Sequence, residues 1–472
     1  MVEQSKAGSS AGRLEGPEAP HPRRPRHRSF EFRTSTLSGR TISLAYALTG
    51  GPDPDVQFTE VLELPPELPA PDAADPAVRA LLDGIHRVFG VSYYKAAVPR
   101  RIVAPPVSRA DAAFWSHLYT EGLGEFYYRN DLFPDHEGFP VGEVANVAPG
   151  ARPAASPTRE ERALVLVGGG KDSAVTREVL RHAGVAATGF SLGSSAWLSR
   201  SVGPMGVPHL SVRRRLDPRL RELNERGAWN GHVPISACIA FVATLVAHLA
   251  GDRWIAAGNE RSADEGNVTW RGMQINHQWS KSLGFEEQFG AWCERHLPGG
   301  PAYFSVLRPL GELRIAEAFS HHPRYFRDFT SCNRNFRQLP NGEESRWCGR
   351  CPKCVFVYLI LAPSLDDGQL RAIFEGDFLA PAENRDLLEQ LAGLAKMKPF
   401  ECVGTFDETR AALGLLARKG RLPESLRSWY ASNLAPLAGD AEATLAALRS
   451  SDAPNRLPAG WKERLDAYLA AH

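Results

Sequence analysis

The sequence predicts an α/β protein: a doubly wound parallel sheet, with an N-terminal α+β domain before it and a helical region after it. Three observations carry this expectation. The apolar run Ala163–Val167 breaks into Gly168-Gly169-Gly170, and a periodic segment, Ser173–His182, follows. That is the pattern of a buried parallel strand, a glycine turn and a helix. From residue 160 onward, short apolar runs alternate with helical periodicity, as βα units do. The most apolar stretch, Val233–Ala250, is bounded by Pro234 and Gly251 and reads as a helix buried against a sheet rather than a membrane span.

Taken in order, residues 1–29 are polar, with Pro, Gly and Ser throughout and no apolar signal-peptide core. They read as a disordered tail whose basic end (Arg23, Arg24, Arg26, Arg28) is a solvated arm. Strand-like runs follow at Phe30–Arg33, Thr41–Tyr46 and Val61–Leu64, and Pro65, Pro66, Pro69 and Pro71 then break the chain. Residues 76–130 read as mainly helical, and the Pro-, Ala- and Ser-rich residues 145–158 as a linker. This places an N-terminal α+β domain at 30–150. The sheet domain, 156–360, contains strands at Leu164–Val167, Ala187–Leu192, Leu210–Val212, Trp254–Ala257 and a strand-like Tyr303–Leu307, with a helix near 219–226 before the long apolar one. Residues 361–472 are rich in Ala, Leu and Glu and read as helices; no internal repeat is present.

The 472 residues, 43% apolar and 23% charged, have the composition of an ordinary globular chain. A net charge of +1 gives no global attraction to nucleic acid or to an anionic membrane. Seven cysteines without a secretion signal point to a reducing cytoplasm, without disulfides.

The glycine turn is an anion site by construction. Glycines let the backbone approach closely, and the free N–H groups of a first helical turn point at the anion. Walker A is excluded because Gly170-Lys171 is followed by Asp172, and no G-x-G-x-x-G spacing is present. Gly168, Gly169, Gly170, Lys171, Asp172 and Ser173 resemble instead the PP-loop of the ATP pyrophosphatases, with Gly168 where a Ser is usual. The resemblance implies that ATP is bound here with Mg²⁺, Asp172 helping to seat the metal, and that pyrophosphate is released.

A second turn, Gly258-Asn259-Glu260, follows the strand Trp254–Ala257, so both turns fall at carboxyl ends of strands, where such sheets bind ligands. It opens a stretch, 258–286, dense in polar side chains. Within it His277 is a candidate general base and Lys281 a candidate partner for phosphate or carboxylate. Cys348, Cys351 and Cys354, with Cys332 upstream, supply four thiolates for a closed tetrahedral zinc site. Cys332 has a second reading, as a proton-transferring base if it is not on metal. Arg308 and Arg314 read either as anion ligands or as partners of surface acids, and Lys95 and Arg100 invite the same two readings.

The glycine loop with the four cysteines resembles 7-cyano-7-deazaguanine synthase, a zinc-containing PP-loop ligase. A fuller resemblance, over roughly residues 30–400, is to the UDP-N-acetylmuramoyl-L-alanyl-L-glutamate epimerase family. It rests on Ser92-Tyr-Tyr-Lys95, Gly168–Ser173, Gly258-Asn-Glu260, Asn276-His-Gln-x-Ser-Lys-Ser282, Arg308-Pro-Leu310, Ser331-Cys-Asn333 and Cys348–Cys354. That resemblance implies a PP-loop/HUP-like sheet. It also implies ATP-dependent inversion of the terminal L-Glu of a nucleotide-linked dipeptide, with ATP cleaved to AMP and pyrophosphate. His277, Cys332, Glu260 and Lys281 are then the catalytic candidates, and Gly258 and Asn259 join the nucleotide site. A non-catalytic nucleotide-binding scaffold is the alternative of another class.

Overall fold

The computed structural model describes residues 24–132, 159–336, 345–395, 397–437 and 441–472. Among them, nine strands form one sheet. In chain order they are β1 (Ser29–Ser38), β2 (Thr41–Thr49), β3 (Val56–Glu63), β4 (Arg101–Val103), β5 (Glu160–Leu166), β6 (Ala186–Leu192), β7 (His209–Arg215), β8 (Asp252–Ala257) and, after a small hairpin of β9 (Val268–Trp270) and β10 (Met273–Ile275), β11 (Ala302–Ser305). Their spatial order is β11-β8-β5-β6-β7-β3-β2-β1-β4.

The five strands β11-β8-β5-β6-β7 are all parallel, and the chain moves outward from β5 through β6 to β7 before returning to β8 on the other side. The reversal between β5 and β8 is where ligands of open α/β sheets bind. Successive residues on these strands face opposite cores, as the pleat requires. Ala163 and Val165 of β5 and Trp254 and Ala256 of β8 pack in one core, with Val175 and Val179 of helix Lys171–His182. Leu164, Ile255 and Ala257 pack in the other, with the apolar helix Ile235–Ala250. The sheet is therefore mixed but mostly parallel, with helices on both faces.

The strands of the expected N-terminal domain extend this sheet rather than closing one of their own. β3 pairs antiparallel with β7, Leu62 opposite Arg214, and the buried Glu60 carboxylate accepts from the Arg214 guanidinium. Glu63 pairs with Arg215 at 2.9 Å and with Arg213 at 3.4 Å across the same seam. The helical reading of 76–130 corresponds to helices Pro76–Phe89, Val91–Tyr94, Arg109–Thr120 and Gly124–Arg129, with the short β4 among them. Residues 145–158, read as a linker, lie outside the described residues.

At the basic end of the tail Arg26 and Arg28 are exposed, Arg23 lies outside the described residues, and Arg24 is held against the fold. Arg24 lies 3.4 Å over the Trp229 ring, Arg26 approaches Asp53, and His27 is buried. A guanidinium over an indole face gains cation–π attraction while its stem covers apolar surface. The C-terminal helices also join the main core: Trp461 of helix Trp461–Ala471 packs on Phe304 and Trp254. No helix among the described residues is long and apolar enough to cross a membrane.

Candidate active site

The glycine loop connects β5 to helix Lys171–His182, whose N-terminus at Gly170 has no side-chain cap. The amides of its first turn are thus left for a ligand. The three glycines have different reasons to be there. Gly169 has φ +86°, a conformation that L side chains rarely adopt. A Cβ on Gly170 would sit 2.7 Å from Ser331 Oγ, whereas one on Gly168 would meet nothing within 4 Å. The Thr330 N–H donates to Gly169 O at 3.0 Å. The loop is therefore fastened to the Ser331-Cys332-Asn333 segment, a link invisible in the sequence.

The Gly258-Asn259-Glu260 turn lies against the same helix. A Cβ on Gly258 would come within 2.8 Å of Thr176 Oγ1 and 3.0 Å of Asp172 O. Asn259 Nδ2 donates to Ser305 Oγ on β11 at 3.0 Å, which aligns the two strand ends. Arg308, fully buried, donates to Glu260 O at 2.7 Å, to Lys281 O, and to Glu286 at 3.3 Å. Arg308 is thus an internal clamp that holds two site residues by their backbones. Arg314 pairs with Glu317 and with Leu469 O, the acid-partner reading of the sequence.

Most amides of the 258–286 stretch organise the loop itself. Asn276 bonds Ala263 O and the Gln278 N–H, and Asn267 accepts from the His277 N–H. Asn267 also donates to Pro399 O at 2.8 Å, drawing in a segment of the C-terminal region. Glu260, His277 and Lys281 are the side chains of this stretch that join the charged cluster.

That cluster is dense. Lys171, buried, donates to both Asp172 and Glu312. Lys353 lies 3.8 Å from Glu312 and donates to Cys402 O. Lys281 Nζ lies 3.4 Å from Cys402 Sγ. Burial works against the Lys171 charge, but Asp172 and Glu312 outweigh it and raise its pKa. Burial, with Glu312 and Asp172 nearby, pushes Glu260 up to about 7, so this carboxyl can hold or release a proton near neutrality.

His277 sits between Glu125 and Cys402. Burial disfavours its charge, yet hydrogen bonds to Cys402 and Glu125 raise it to about 9. Its ring packs on His232 at 4.5 Å between centroids; burial and the charged His277 lower His232 to about 3. Glu125, His232 and His277 have ligand atoms close enough for an ion. Arg129 also pairs with Glu125 at 2.5 Å, and Lys281 adds a further positive charge near His232. Lys95 supports it from behind, donating to Asn230 Oδ1 at 2.7 Å and Gly231 O at 2.8 Å, next to His232. Tyr93 and Tyr94 are core.

Cys402 is the residue that sequence reasoning missed. Burial alone would raise its thiol, but Lys281, the hydrogen bond with His277 and Lys353 bring it down to about 5. The residue as a whole is half-buried, and its sulfur lies among these charged groups. Cys332, by contrast, sits with Cys348, Cys351 and Cys354, all four sulfurs within 4.8 Å of one another and Cys348 Sγ 3.8 Å from Cys354 Sγ. Tetrahedral zinc with Zn–S bonds of about 2.3 Å needs sulfurs about 3.8 Å apart, so the thiols fit that ion. The structure thus places Cys332 among these four thiols.

Residues 22–306 match the MurL N-terminal domain and residues 328–429 the MurL C-terminal domain. The chain is 38% identical over 450 residues to UDP-N-acetyl-alpha-D-muramoyl-L-alanyl-L-glutamate epimerase of Xanthomonas oryzae pv. oryzae, covering 94% of this chain and 98% of that one. It is 42% identical over 376 residues to the enzyme of the same name from a Micromonospora species, covering 79% and 83%. The match to the Salinispora tropica enzyme of that name is 41% over 398 residues, covering 83% and 84%.

Proposed function

The chain belongs to the MurL family, and from that premise we propose that it inverts the terminal L-Glu of UDP-N-acetylmuramoyl-L-alanyl-L-glutamate to D-Glu, making a peptidoglycan precursor in the cytoplasm. We read the glycine loop as a PP-loop and the inversion as coupled to cleavage of ATP to AMP and pyrophosphate. The observation that carries the reading is the uncapped glycine-loop helix opening onto Lys171, Lys281 and Lys353 beside proton-exchanging groups.

The chemistry requires such a site. Next to a free carboxylate, a Cα–H is a very weak acid, because its removal puts a second negative charge beside the first. Joining the carboxylate to AMP removes that charge and gives an ester-like carbonyl that can share the carbanion's electrons. The loop amides and lysines stabilise the negative charge of the phosphates and of the attacking carboxylate. Asp172 would help seat Mg²⁺, which takes one or two carboxylates together with phosphate oxygens. Glu260, held by Arg308 through its backbone, and the His277 region then handle the α-proton. Water finally releases AMP and the epimerised acid.

Cys332, Cys348, Cys351 and Cys354 would hold zinc, which supplies a cross-link rather than chemistry at the substrate. It would fix the segment of Thr330 and Ser331 that fastens the glycine loop. Incubation with ATP, Mg²⁺ and the L-Glu nucleotide dipeptide should yield AMP, pyrophosphate and the D-Glu product together. No AMP, or AMP with L-Glu retained, overturns the reading.

A further inference from the structure

The Cys402 thiol stands apart from the four clustered cysteines and faces a different chemistry. It follows the turn after Pro399, where Asn267 ties the chain to the His277 loop. Its sulfur meets Lys281 at 3.4 Å and shares a hydrogen bond with His277. Its carbonyl accepts from Lys353, which also reaches Glu312, the partner of Lys171 at the glycine loop. One connected set of side chains thus runs from the loop to the backbone of this residue. The anions opposing those cations are the adjacent Glu401, Glu125 on His277, and Glu260 and Asp172 near Lys281. His277 is a poor base in this setting: a charged imidazolium has no lone pair to accept a proton, and its Nδ1 is engaged by Glu125.

We propose that Cys402 is the residue that removes the proton from the glutamyl α-carbon, with His277 and Lys281 as the positioning cations that keep its sulfur ionised; this rests on the epimerase reading above. The thiolate takes the α-proton and becomes a thiol, and the C–H electron pair moves into the activated carbonyl as an enolate. Glu260 in its acid form gives a proton to the opposite face as those electrons form the new C–H bond. This leaves a Cys402 thiol and a Glu260 carboxylate, and exchange of one proton each with water restores both.

The test follows turnover in D₂O with ATP, Mg²⁺ and the L-Glu nucleotide dipeptide, reading pyrophosphate release and deuterium entry at the glutamyl α-carbon. In a single turnover with enzyme in excess, where pyrophosphate release precedes the proton step, Cys402→Ser is expected to release pyrophosphate within about threefold of the parent while deuterium entry falls about 100-fold or more, the usual worth of a positioned base. A second measurement needs no turnover: iodoacetamide labelling of Cys402, mapped on peptides, should persist at pH 6, where an ordinary thiol with pKa about 8.5 is silent. Deuterium entry retained within tenfold in the variant overturns the proposal. So does pyrophosphate release that falls in parallel with it, or labelling that begins only above pH 8. If the parent protein releases no pyrophosphate with this substrate, the epimerase reading fails, and the proposal with it.

Discussion

Two groups of cysteines lie within one stretch of chain, and their surroundings make them different reagents. Cys332, Cys348, Cys351 and Cys354 face one another, sulfur to sulfur. Cys402 faces Lys281, His277 and the Lys353 that lies between Cys351 and Cys354 in the chain. Thiols facing thiols need a cation from outside to hold them as thiolates, which a zinc ion would supply. A thiol facing lysine and imidazolium has its cation built in and keeps its lone pairs for a substrate. Residue type is the same in both; the partner sets the chemistry.

The largest effect should come from breaking the first group. Cys351→Ser removes one thiolate of four, and structural zinc contributes on the order of 10 kcal/mol to folding in small domains. The expected outcome is a parent protein carrying one zinc per chain, and a variant that loses the metal, melts lower and releases no pyrophosphate. Elemental analysis with a thermal melt checks it, and Cys402→Ser, which should keep its zinc, is the contrast that the comparison stands on.

The cations that separate the two groups come next. Lys171 lies with Glu312 at the floor of the cluster, both 1% exposed. Replacing it with Met leaves a buried carboxylate short of its main partner, a change that typically costs about 3–5 kcal/mol. Lys353, 3.8 Å from Glu312, will offset part of this. Pyrophosphate release should fall far more than the melting temperature alone explains, because Lys171 also opens the helix at the glycine loop. Activity unchanged in a variant that melts lower would make Lys171 a purely structural cation.

Much of this was legible in the sequence, for physical reasons that can be named. β5, the loop and its helix declare themselves because apolar runs, glycines and helical periodicity are local signals, and Cys348–Cys354 declares itself by spacing. The β3–β7 join is not local: strands some 150 residues apart meet through Glu60 and Arg214, and an alternating strand does not name its partner. Cys402 carries no spacing at all. Its partners come from the 258–286 loop and from helix Pro352–Leu361, so its character exists only after folding.

His277 sharpens the comparison by pH. The thiolate–imidazolium pair should persist between about 5, where Cys402 regains its proton, and about 9, where His277 loses its own. Deuterium exchange at the α-carbon should therefore fall as pH drops through 5. On the alkaline side it should fall from about 7, as Glu260 loses the proton it must donate. The interacting groups titrate together, so the limbs belong to the set. In His277→Gln the thiolate keeps Lys281 but loses one cation. The acid limb and the labelling of Cys402 should move up by about one to two pH units, the usual worth of a nearby opposite charge. An acid limb that stays in place would mean that Lys281 alone holds the thiolate.

The smallest effect concerns the loop that Thr330 and Ser331 fasten beside the four-cysteine group. Its three glycines look alike in sequence, but Gly169 is bound by its φ of +86° and Gly170 by Ser331 Oγ, while nothing lies within 4 Å of a Cβ on Gly168. Gly168→Ser should therefore leave the melt unchanged within about 0.5 kcal/mol, as for an unencumbered surface change. Gly170→Ala must push Ser331 away, and through it the segment that carries Cys332. If the loop cradles phosphate, the added hydroxyl of Gly168→Ser should keep or lower the KM for ATP by a few-fold, since it adds a donor where the backbone alone now serves. A raised KM with an unchanged melt would show that the space above Gly168 is needed by the nucleotide itself, and the absent serine would then be a requirement of this site rather than a missing contact.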